Sequence, residues 1–345
     1  MRATVVCILF AAASAWPAFA GPCSGAEAQL ARVSAKLTLG DVSSAEAMLG
    51  PTTASHPDCP EILLAQGRIE AAKGNPQAAA NFYVQYTDIE TQDSRGFAYF
   101  GRLFLDQRDY PKADALSAAA LERNPNDPAS LALRGQIFTM KGKTQEGKRL
   151  LEKACQLDSN DPEAQYQLGR IYDSDKNSIT AVKYFRKATA LNPSDARAWD
   201  YLALNLEPLG ELDGAEQAYR KALSVNQPGR YYDGFVDYNY GRFLAKSNQL
   251  AAAKEHLDRA TGLVSQVRAV WYERAKLNLR MKNYQQARTD AEKAAATDDP
   301  AHVILDLQIY SLLGQIYARL GDIEMARKYA ELTRDTPPPV RKENY

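Results

Sequence analysis

The sequence predicts an all-α protein built as an α-solenoid of about nine helical hairpins. Three observations support this fold class. Small residues recur along the chain at 34-residue steps, a second series of small residues runs in parallel, and each period contains two stretches with helical spacing. Ala-rich segments and the scarcity of β-branched runs also favour helices over strands.

The two series of small residues define the repeat and its register. The first series is Gly67, Gly101, Gly135, Gly169, Ala203, Gly241, Ala275 and Gly314. The second series is Ala45, Ala79, Ala113, Gly147, Ala181, Ala215, Ala253, Ala287 and Ala326. Both series take 34-residue steps except for two longer ones, of 38 and 39 residues, that occur at the same places. We therefore interpret residues 227–233 and 298–305 as loop insertions.

Each period is predicted to form two antiparallel helices. Small residues in both series let the helices approach closely, while Leu, Tyr and Phe fill the space around them. Asp127 and Asp161 each precede a proline, which is typical of an N-cap followed by the first helical position. Gly74, Gly142 and Gly321 mark the turns between helices. The predicted units span residues 26–59, 60–93, 94–127, 128–161, 162–195, 196–233, 234–267, 268–306 and 307–335.

Residues 1–20 are predicted to be a secretory signal peptide. Arg2 precedes a short apolar run at 5–15, and Ala18-Phe19-Ala20 forms a small-x-small cleavage site. We expect export through the Sec pathway of a bacterium, to the periplasm or beyond. The apolar run is shorter than the roughly 18 residues that a membrane span requires. Residues 336–345 form a Pro-rich tail.

Charge and motifs exclude several classes of function. Lys and Arg total 42, as do Asp and Glu, and removal of Arg2 with the signal peptide leaves one excess acid, so neither nucleic acid nor an anionic membrane is favoured. His56, His256 and His302 fall in different units without metal-ligand spacing. No phosphate-binding loop or nucleophile elbow is present. We therefore predict no enzyme activity, metal or cofactor.

Taken together, the repeated positions resemble the tetratricopeptide repeat family, whose pattern runs Trp, Leu-Gly, Tyr, Ala, aromatic, Ala and Pro. Residues 162–195 carry nearly all of this pattern, and Trp199, Gly210, Ala215, Tyr219 and Ala222 carry it in the next unit. The resemblance implies a right-handed superhelix in which the first helix of each hairpin lines a concave groove. It also implies binding of another protein or peptide.

The resemblance further implies which residues line that groove. The residues that follow the first series are Arg68, Arg102, Gln136, Arg170, Leu204, Arg242, Lys276 and Gln315. One turn earlier lie Tyr99, Tyr166, Tyr201, Tyr238, Asn239 and Tyr272. Arg and Tyr together suit an acidic peptide, because Arg pairs with carboxylates and Tyr offers contact area at small entropic cost. Alternatively, these charges form intramolecular pairs, such as Arg170 with Glu163 or Asp173.

A clamp for a terminal carboxylate, known in the family, is not predicted. Such a clamp needs Lys and Asn at set positions in successive units, and Asn239 with Arg242 is the sole partial match.

The cysteines suggest one disulfide. Cys23 precedes the first predicted helix and Cys59 follows the second, so antiparallel packing brings them together; two unpaired surface thiols are the alternative. Cys155 stands where neighbouring units carry Leu121, Thr189 and Leu223, which predicts a buried free thiol. Cys7 lies within the signal peptide.

These patterns favour a scaffold or adaptor that binds a partner polypeptide outside the cytoplasm. Two other interpretations stay open. The solenoid could self-associate end to end through its Ala-rich terminal helices, or it could serve polysaccharide export by stacking groove tyrosines on sugars.

Overall fold

A computed structural model describes residues 21–226, 234–300 and 303–336. Within these ranges the chain forms eighteen α-helices and one short 3-10 turn, with no strand. The predicted signal peptide, the insertion at 227–233, residues 301–302 of the second insertion, and tail residues 337–345 lie outside the described residues. The described chain divides into two compact units, residues up to Lys143 and residues from Thr144 onward.

The first unit contains seven of the described helices. They are α1 (Glu27–Thr38), α2 (Val42–Ser55), α3 (Pro60–Ala72), α4 (Pro76–Ile89), α5 (Ser94–Asp106), α6 (Tyr110–Arg123) and α7 (Pro128–Met140). Consecutive helices pack as hairpins, α1 with α2, α3 with α4 and α5 with α6, and each hairpin packs on the next.

The second unit contains the other eleven described helices. They are α8 (Thr144–Leu157), α9 (Pro162–Ser174), α10 (Ser178–Leu191), α11 (Ala196–Leu206), α12 (Leu212–Val225), α13 (Phe235–Lys246), α14 (Leu250–Leu263), α15 (Arg268–Arg280), α16 (Tyr284–Ala296), α17 (Asp306–Leu320) and α18 (Ile323–Asp335). The 3-10 turn Glu207–Leu209 extends α11. Hairpins pair α9 with α10 and continue in order to α17 with α18.

Side-chain caps begin many of these helices. Asp127 accepts a hydrogen bond from the backbone N–H of Ser130 at 2.8 Å, and Asp161 accepts one from Glu163 at 2.9 Å. In both cases Pro occupies the first helical position, where its missing N–H leaves no hydrogen bond unmade. The predicted helix starts are therefore present.

The turn inside each hairpin contains one residue with positive φ. Gly74, Gly142 and Gly321 adopt φ values of +80°, +79° and +82°, as the sequence predicts. The equivalent position in other hairpins is not glycine: Arg108, Lys176, Asn248 and Lys282 adopt φ between +59° and +64°. The turn geometry is thus maintained even where the side chain disfavours it.

Small residues occupy the helix contacts, as the two series predict. Of the second series, Ala45, Ala79, Ala181, Ala215 and Ala287 are all fully buried. In the first series, a Cβ on Gly67 would lie 2.5 Å from the ring of Tyr83, and a Cβ on Gly169 would lie 2.6 Å from Phe185. Glycine at these positions lets the aromatic ring of the second helix rest on the backbone of the first. The prediction of an all-α solenoid of paired helices is confirmed.

None of the described helices combines the length and apolar character that a membrane span requires.

A buried carboxylate in the second unit predicts sensitivity to acid. Oδ1 of Asp237 lies 2.7 Å from Nδ1 of His256 and 2.8 Å from Nη2 of Arg259. Burial raises the pKa of Asp237, but these two hydrogen bonds outweigh burial and hold the pKa below its ordinary value. The stability from this carboxylate is therefore present above the pKa of the unfolded chain, about 3.9, and is lost as pH falls through the lower folded value.

We expect Asp237→Asn to lower the free energy of unfolding at pH 7 by about 2 kcal/mol, because the charged hydrogen-bond partner of His256 and Arg259 is lost. The difference from wild type should shrink below about pH 4, as the wild-type carboxylate becomes protonated. Urea denaturation at several pH values measures both quantities. Asp335→Asn, at an exposed side chain, serves as control. A constant difference down to pH 2 would contradict this assignment.

Candidate partner-binding surface

The residues predicted to line a groove lie on the first helices of the hairpins. In the first unit these helices are α3, α5 and α7, and in the second unit they are α9, α11, α13, α15 and α17. Gly67, Gly169 and Gly241 face the second helix of their hairpin. The groove residue that follows each of them lies about 100° further around the first helix.

A cleft of about 430 Å³ opens on this surface in the first unit. It is lined by Cys23, Glu27, Leu30, Ala31, Ser34, Glu61, Leu64, Ala65, Arg68, Arg95 and Tyr99. Arg68 donates a hydrogen bond from Nη1 to Oγ of Ser34 at 2.8 Å, and its guanidinium lies 4.7 Å from the centre of the Tyr99 ring. Two of the predicted groove residues, Arg68 and Tyr99, thus belong to one cleft and contact each other.

Two other arginines of this unit, Arg95 and Arg102, have different partners. Arg95 lies 2.5 Å from Asp93 and 3.5 Å from Glu61, so carboxylates balance its charge. Arg102 donates a hydrogen bond to Gln136, which is itself a predicted groove residue on the next first helix. Arg102 therefore links successive helices of the surface and does not line the cleft.

The predicted pairing of Cys23 with Cys59 is present as a disulfide, with an S–S distance of 2.03 Å. It joins the segment before α1 to the start of α3, and Cys23 borders the cleft that contains Arg68. The bond closes a loop that contains the first hairpin and restricts the unfolded chain. It thereby anchors one end of the cleft.

A thiol count tests this disulfide. In protein produced without residues 1–20, denaturation without reductant should expose one thiol, that of Cys155, to Ellman's reagent; prior reduction should raise the count to three. Replacement of Cys59 by Ser should give two thiols without reduction, because Cys23 is then also free. Three thiols in the unreduced wild-type protein would show that the bond does not form.

In the second unit, an arginine again covers a tyrosine of the next first helix. The guanidinium of Arg170 lies 5.2 Å from the centre of the Tyr201 ring, and Tyr201 stacks on Phe185 at 5.6 Å. The spacing repeats that of the first unit, since Arg68 and Arg170 each precede their tyrosine by 31 residues.

The prediction that Tyr166 lines the groove is wrong. Its side chain is only 3% exposed, packs on Phe185 at 5.9 Å and is covered by the guanidinium of Arg197 at 4.6 Å. Tyr166 lies on the side of α9 that contacts α10, so its ring packs in the core. Burial accordingly raises the pKa of Tyr166 far above its ordinary value. Tyr238 is half-buried, and burial raises its pKa to about 12.

Arg242 and Asn239 take part in a polar network below the surface. Asn239 donates a hydrogen bond to the buried carboxylate of Asp200 at 2.7 Å. Arg242 Nη2 donates to Glu207 at 3.1 Å, and Lys246 lies 2.9 Å from the same carboxylate. These contacts account for the partial resemblance to a carboxylate clamp, because both residues already bind carboxylates of this chain.

A second cleft, of about 550 Å³, lies at the C-terminal end of the second unit. It is lined by Tyr272, Lys276, Leu279, Arg280, Leu307, Gln308, Ser311, Leu312, Gln315 and Thr333. Lys276 Nζ lies 5.2 Å from the centre of the Tyr272 ring and 2.9 Å from Glu273. Three predicted groove residues, Tyr272, Lys276 and Gln315, come together here between α15 and α17.

Sequence reasoning missed Arg280 and Ser34, which line these two clefts. Arg280 follows Lys276 by four residues, so helical spacing alone places it on the same face. Ser34 precedes Arg68 by one 34-residue period and occupies the equivalent position of the first hairpin. Extending the series of groove residues by one repeat toward the N-terminus would have identified Ser34. Adding the residue one helical turn after Lys276 would have identified Arg280.

Cys155 is the free cysteine of the described residues, but it is half-buried where the sequence predicts a buried thiol. Its side chain borders a separate depression on α8 and α10, together with Lys183 and Tyr184. Burial raises the pKa of the thiol to about 11. A thiol with this pKa is a poor nucleophile at neutral pH.

The described histidines make local contacts. His56 lies within hydrogen-bond distance of Ser55 Oγ and of the carbonyl oxygen of Ser24, at 2.8 and 3.0 Å. His256 contacts Asp237. Among the described residues, Cys23, Cys59 and Glu61 form the one group with metal-ligand spacing. Because the two sulfurs are joined in a disulfide, they do not offer the thiolates that a metal requires.

Comparison with known proteins agrees with this architecture. Two family models described as tetratricopeptide repeat match the sequence, one at residues 30–93, 100–162 and 241–303, and the other at 162–195, 196–228 and 307–332. The chain belongs to the tetratricopeptide repeat family. Its repeats are therefore those of a protein-interaction scaffold, a fold that is generally not enzymatic. No curated protein matches the chain in sequence.

Solved structures of other tetratricopeptide repeat proteins share the fold. A chain of the Cut9–Hcn1 hetero-tetramer of APC/C aligns with a TM-score of 0.68 at 16% identity. The alignment covers 84% of the present protein but only 55% of the length of that solved chain. The Pseudomonas aeruginosa protein PilF aligns with a TM-score of 0.53 at 21% identity, covering 61% of this chain and 93% of the other. PilW, described as a type IV pilus biogenesis factor, aligns with a TM-score of 0.52 at 20% identity. The alignment covers 60% of this chain and 93% of PilW.

Proposed function

We propose that this tetratricopeptide repeat protein is an extracytoplasmic scaffold that binds a partner polypeptide along the first helices of its hairpins. The observation that carries the proposal is the composition of the two clefts. Each combines a cation, a tyrosine and at least one partly exposed leucine on one surface, as with Arg68, Tyr99 and Leu30 in the first unit. Aromatic and arginine side chains beside apolar contacts are typical of protein-binding surfaces.

A polypeptide partner is favoured over a glycan because the groove tyrosines are already covered. Sugar rings stack on an open aromatic face. Here the faces of Tyr99, Tyr201 and Tyr272 are approached by Arg68, Arg170 and Lys276 at 4.7, 5.2 and 5.2 Å. The cations over these rings suit carbonyl and carboxylate groups of a peptide.

The extracytoplasmic location is supported by two independent features. The first is the signal-peptide pattern of residues 1–20, with its small-x-small cleavage site. The second is the Cys23–Cys59 disulfide, a bond that persists in oxidising compartments and is rare in the cytosol. The bacterial source and the periplasmic destination are part of the same proposal.

Export is tested by fractionation of a bacterium that expresses the whole chain with a C-terminal tag. We expect the tagged protein in the periplasmic or culture fraction, with its N-terminus at Gly21 by mass spectrometry. Replacing Ala18 and Ala20 by Arg should block cleavage. Recovery of the uncleaved wild-type chain in the cytoplasm would reject the proposed compartment.

Partner binding is tested by affinity capture from the native envelope extract. We compare the wild type with a cleft variant, Arg68→Ala with Tyr272→Ala, and with a control variant, Lys187→Ala with Lys221→Ala, whose changes lie on the second helices α10 and α12. Wild type and control should capture the same envelope protein, and the cleft variant should not. Equal capture by all three would place the binding surface elsewhere.

A further inference from the structure

The second cleft differs from the first in its charges. Of its ten lining residues, Lys276 and Arg280 are cationic and none is acidic. The first cleft, by contrast, contains Glu27 and Glu61 beside Arg68 and Arg95. The second cleft therefore presents the more positive lining of the two.

Carboxylates of this chain balance several other cations near the surface. Glu61 and Asp93 accompany Arg95. Glu207 binds both Arg242 and Lys246. A partner carboxylate at those cations would compete with an acid already in place.

The Arg280 guanidinium donates two hydrogen bonds to neutral acceptors. They are the carbonyl oxygen of Ala245 at 2.5 Å and Oδ1 of Asn248 at 3.1 Å. The guanidinium is held in place by these bonds, and no carboxylate of the described residues pairs with it. Lys276 pairs with Glu273 three residues earlier, but the lysine is exposed and Glu273 does not line the cleft. The Lys276 side chain is 45% exposed and its ammonium has three N–H donors, so a second carboxylate can share it.

Three leucines and a tyrosine make up the apolar part of the cleft walls. Leu279, Leu307 and Tyr272 are partly exposed, and Leu312 is buried. An ion alone would not use these walls, whereas a peptide side chain of leucine size would. We infer that this cleft anchors a segment of the partner in which carboxylates flank an apolar side chain. The inference rests on the proposed function and names the chemistry of the partner.

Defined peptides test this recognition. The probe is a fluorescein-labelled, eight-residue peptide of alternating Glu and Leu, compared with peptides of alternating Lys and Leu and of alternating Glu and Ser. Fluorescence anisotropy should show the tightest binding for the Glu-Leu peptide, with affinity falling as salt rises, because the charges are exposed to solvent. Failure of the Glu-Leu peptide to bind better than the other two would overturn the inference.

Variants assign the binding to this cleft. Lys276→Ala with Arg280→Gln should weaken binding of the Glu-Leu peptide tenfold or more, since two charge-assisted contacts are lost. The control, Lys187→Ala with Lys221→Ala, removes the same amount of charge from the second helices and should leave the affinity unchanged. Circular dichroism and the melting temperature establish that both variants fold. Equal loss in the two variants, or none in either, would contradict the assignment.

The outcome separates the cleft from the scaffold function. If the Lys276/Arg280 variant still captures the envelope partner while the Arg68/Tyr272 variant does not, the scaffold proposal stands and the acidic segment is wrong. Analytical ultracentrifugation tests whether the cleft instead binds a second copy of this chain. The peptide site would also be rejected by a concentration-dependent dimer of this kind: the Lys276/Arg280 variant does not form it, and the Glu-Leu peptide does not compete with it.

Discussion

Replacing Gly169 by Leu is expected to lower the free energy of unfolding by about 3 kcal/mol, at the upper end of the usual range for overpacking. A Cβ at Gly169 would lie 2.6, 2.8 and 2.9 Å from three ring atoms of Phe185. Phe185 is fully buried, so its ring cannot move aside without disturbing the core of the second unit. The larger side chain must therefore force α9 and α10 apart.

Gly262→Leu provides the matched control. Gly262 also lies within a helix, but no heavy atom comes within 4 Å of a Cβ built there. This variant should be as stable as wild type or slightly more so, because Leu has a higher helix propensity than Gly. Urea denaturation followed by circular dichroism measures both variants. Equal stability of the two would mean that Gly169 is not needed for close helix approach.

The periodicity of small residues was sufficient to predict the fold because it records a packing requirement. A helix pair can approach closely only where one side contributes almost no side chain, and a repeat must satisfy this in every unit. The 34-residue steps and both stretched steps are therefore visible in sequence. The turns were less predictable, since Arg108 and Lys282 adopt positive φ at positions where glycine is expected.

The candidate surface could be predicted in part. The resemblance to the tetratricopeptide repeat family implied that Arg68, Tyr99, Tyr272 and Lys276 share one type of surface, and the structure places them in two clefts. Spacing did not reveal the partner of each cation. Those partners come from the neighbouring hairpin, as with the Arg102–Gln136 hydrogen bond across one 34-residue period. Overlaying consecutive units in sequence would have suggested such pairs.

The degree of burial of tyrosines at equivalent helical positions was the least predictable feature. Tyr166 was assigned to the groove, yet it packs in the core, whereas Tyr272 in an equivalent position is only half-buried. The difference depends on what covers each ring. Arg197, held by Glu163 and Asp195, lies over Tyr166 and shields it from solvent. A pattern of residue types does not encode this contact between units.

Glu207→Ala should lower the free energy of unfolding by about 3 kcal/mol, the lower end of the range for breaking a buried ion pair. The carboxylate is mostly buried and accepts hydrogen bonds from Tyr219 at 2.5 Å, Arg242 at 3.1 Å and Lys246 at 2.9 Å. Its removal leaves the half-buried guanidinium of Arg242 without this carboxylate. Glu207→Gln should be milder, because an amide oxygen in the place of Oε1 can still accept the bonds from Tyr219 and Arg242.

The same variants decide whether Arg242 binds a partner or supports the fold. If its role is structural, Arg242→Met should destabilise the protein in the wild-type background and cost little once Glu207 is replaced by Gln, since the buried charge is then absent. A double-mutant cycle by urea denaturation gives this coupling. Peptide affinity of the folded Arg242→Met protein should equal that of wild type. Reduced affinity at unchanged stability would instead assign Arg242 to the binding surface, as the sequence pattern first suggests.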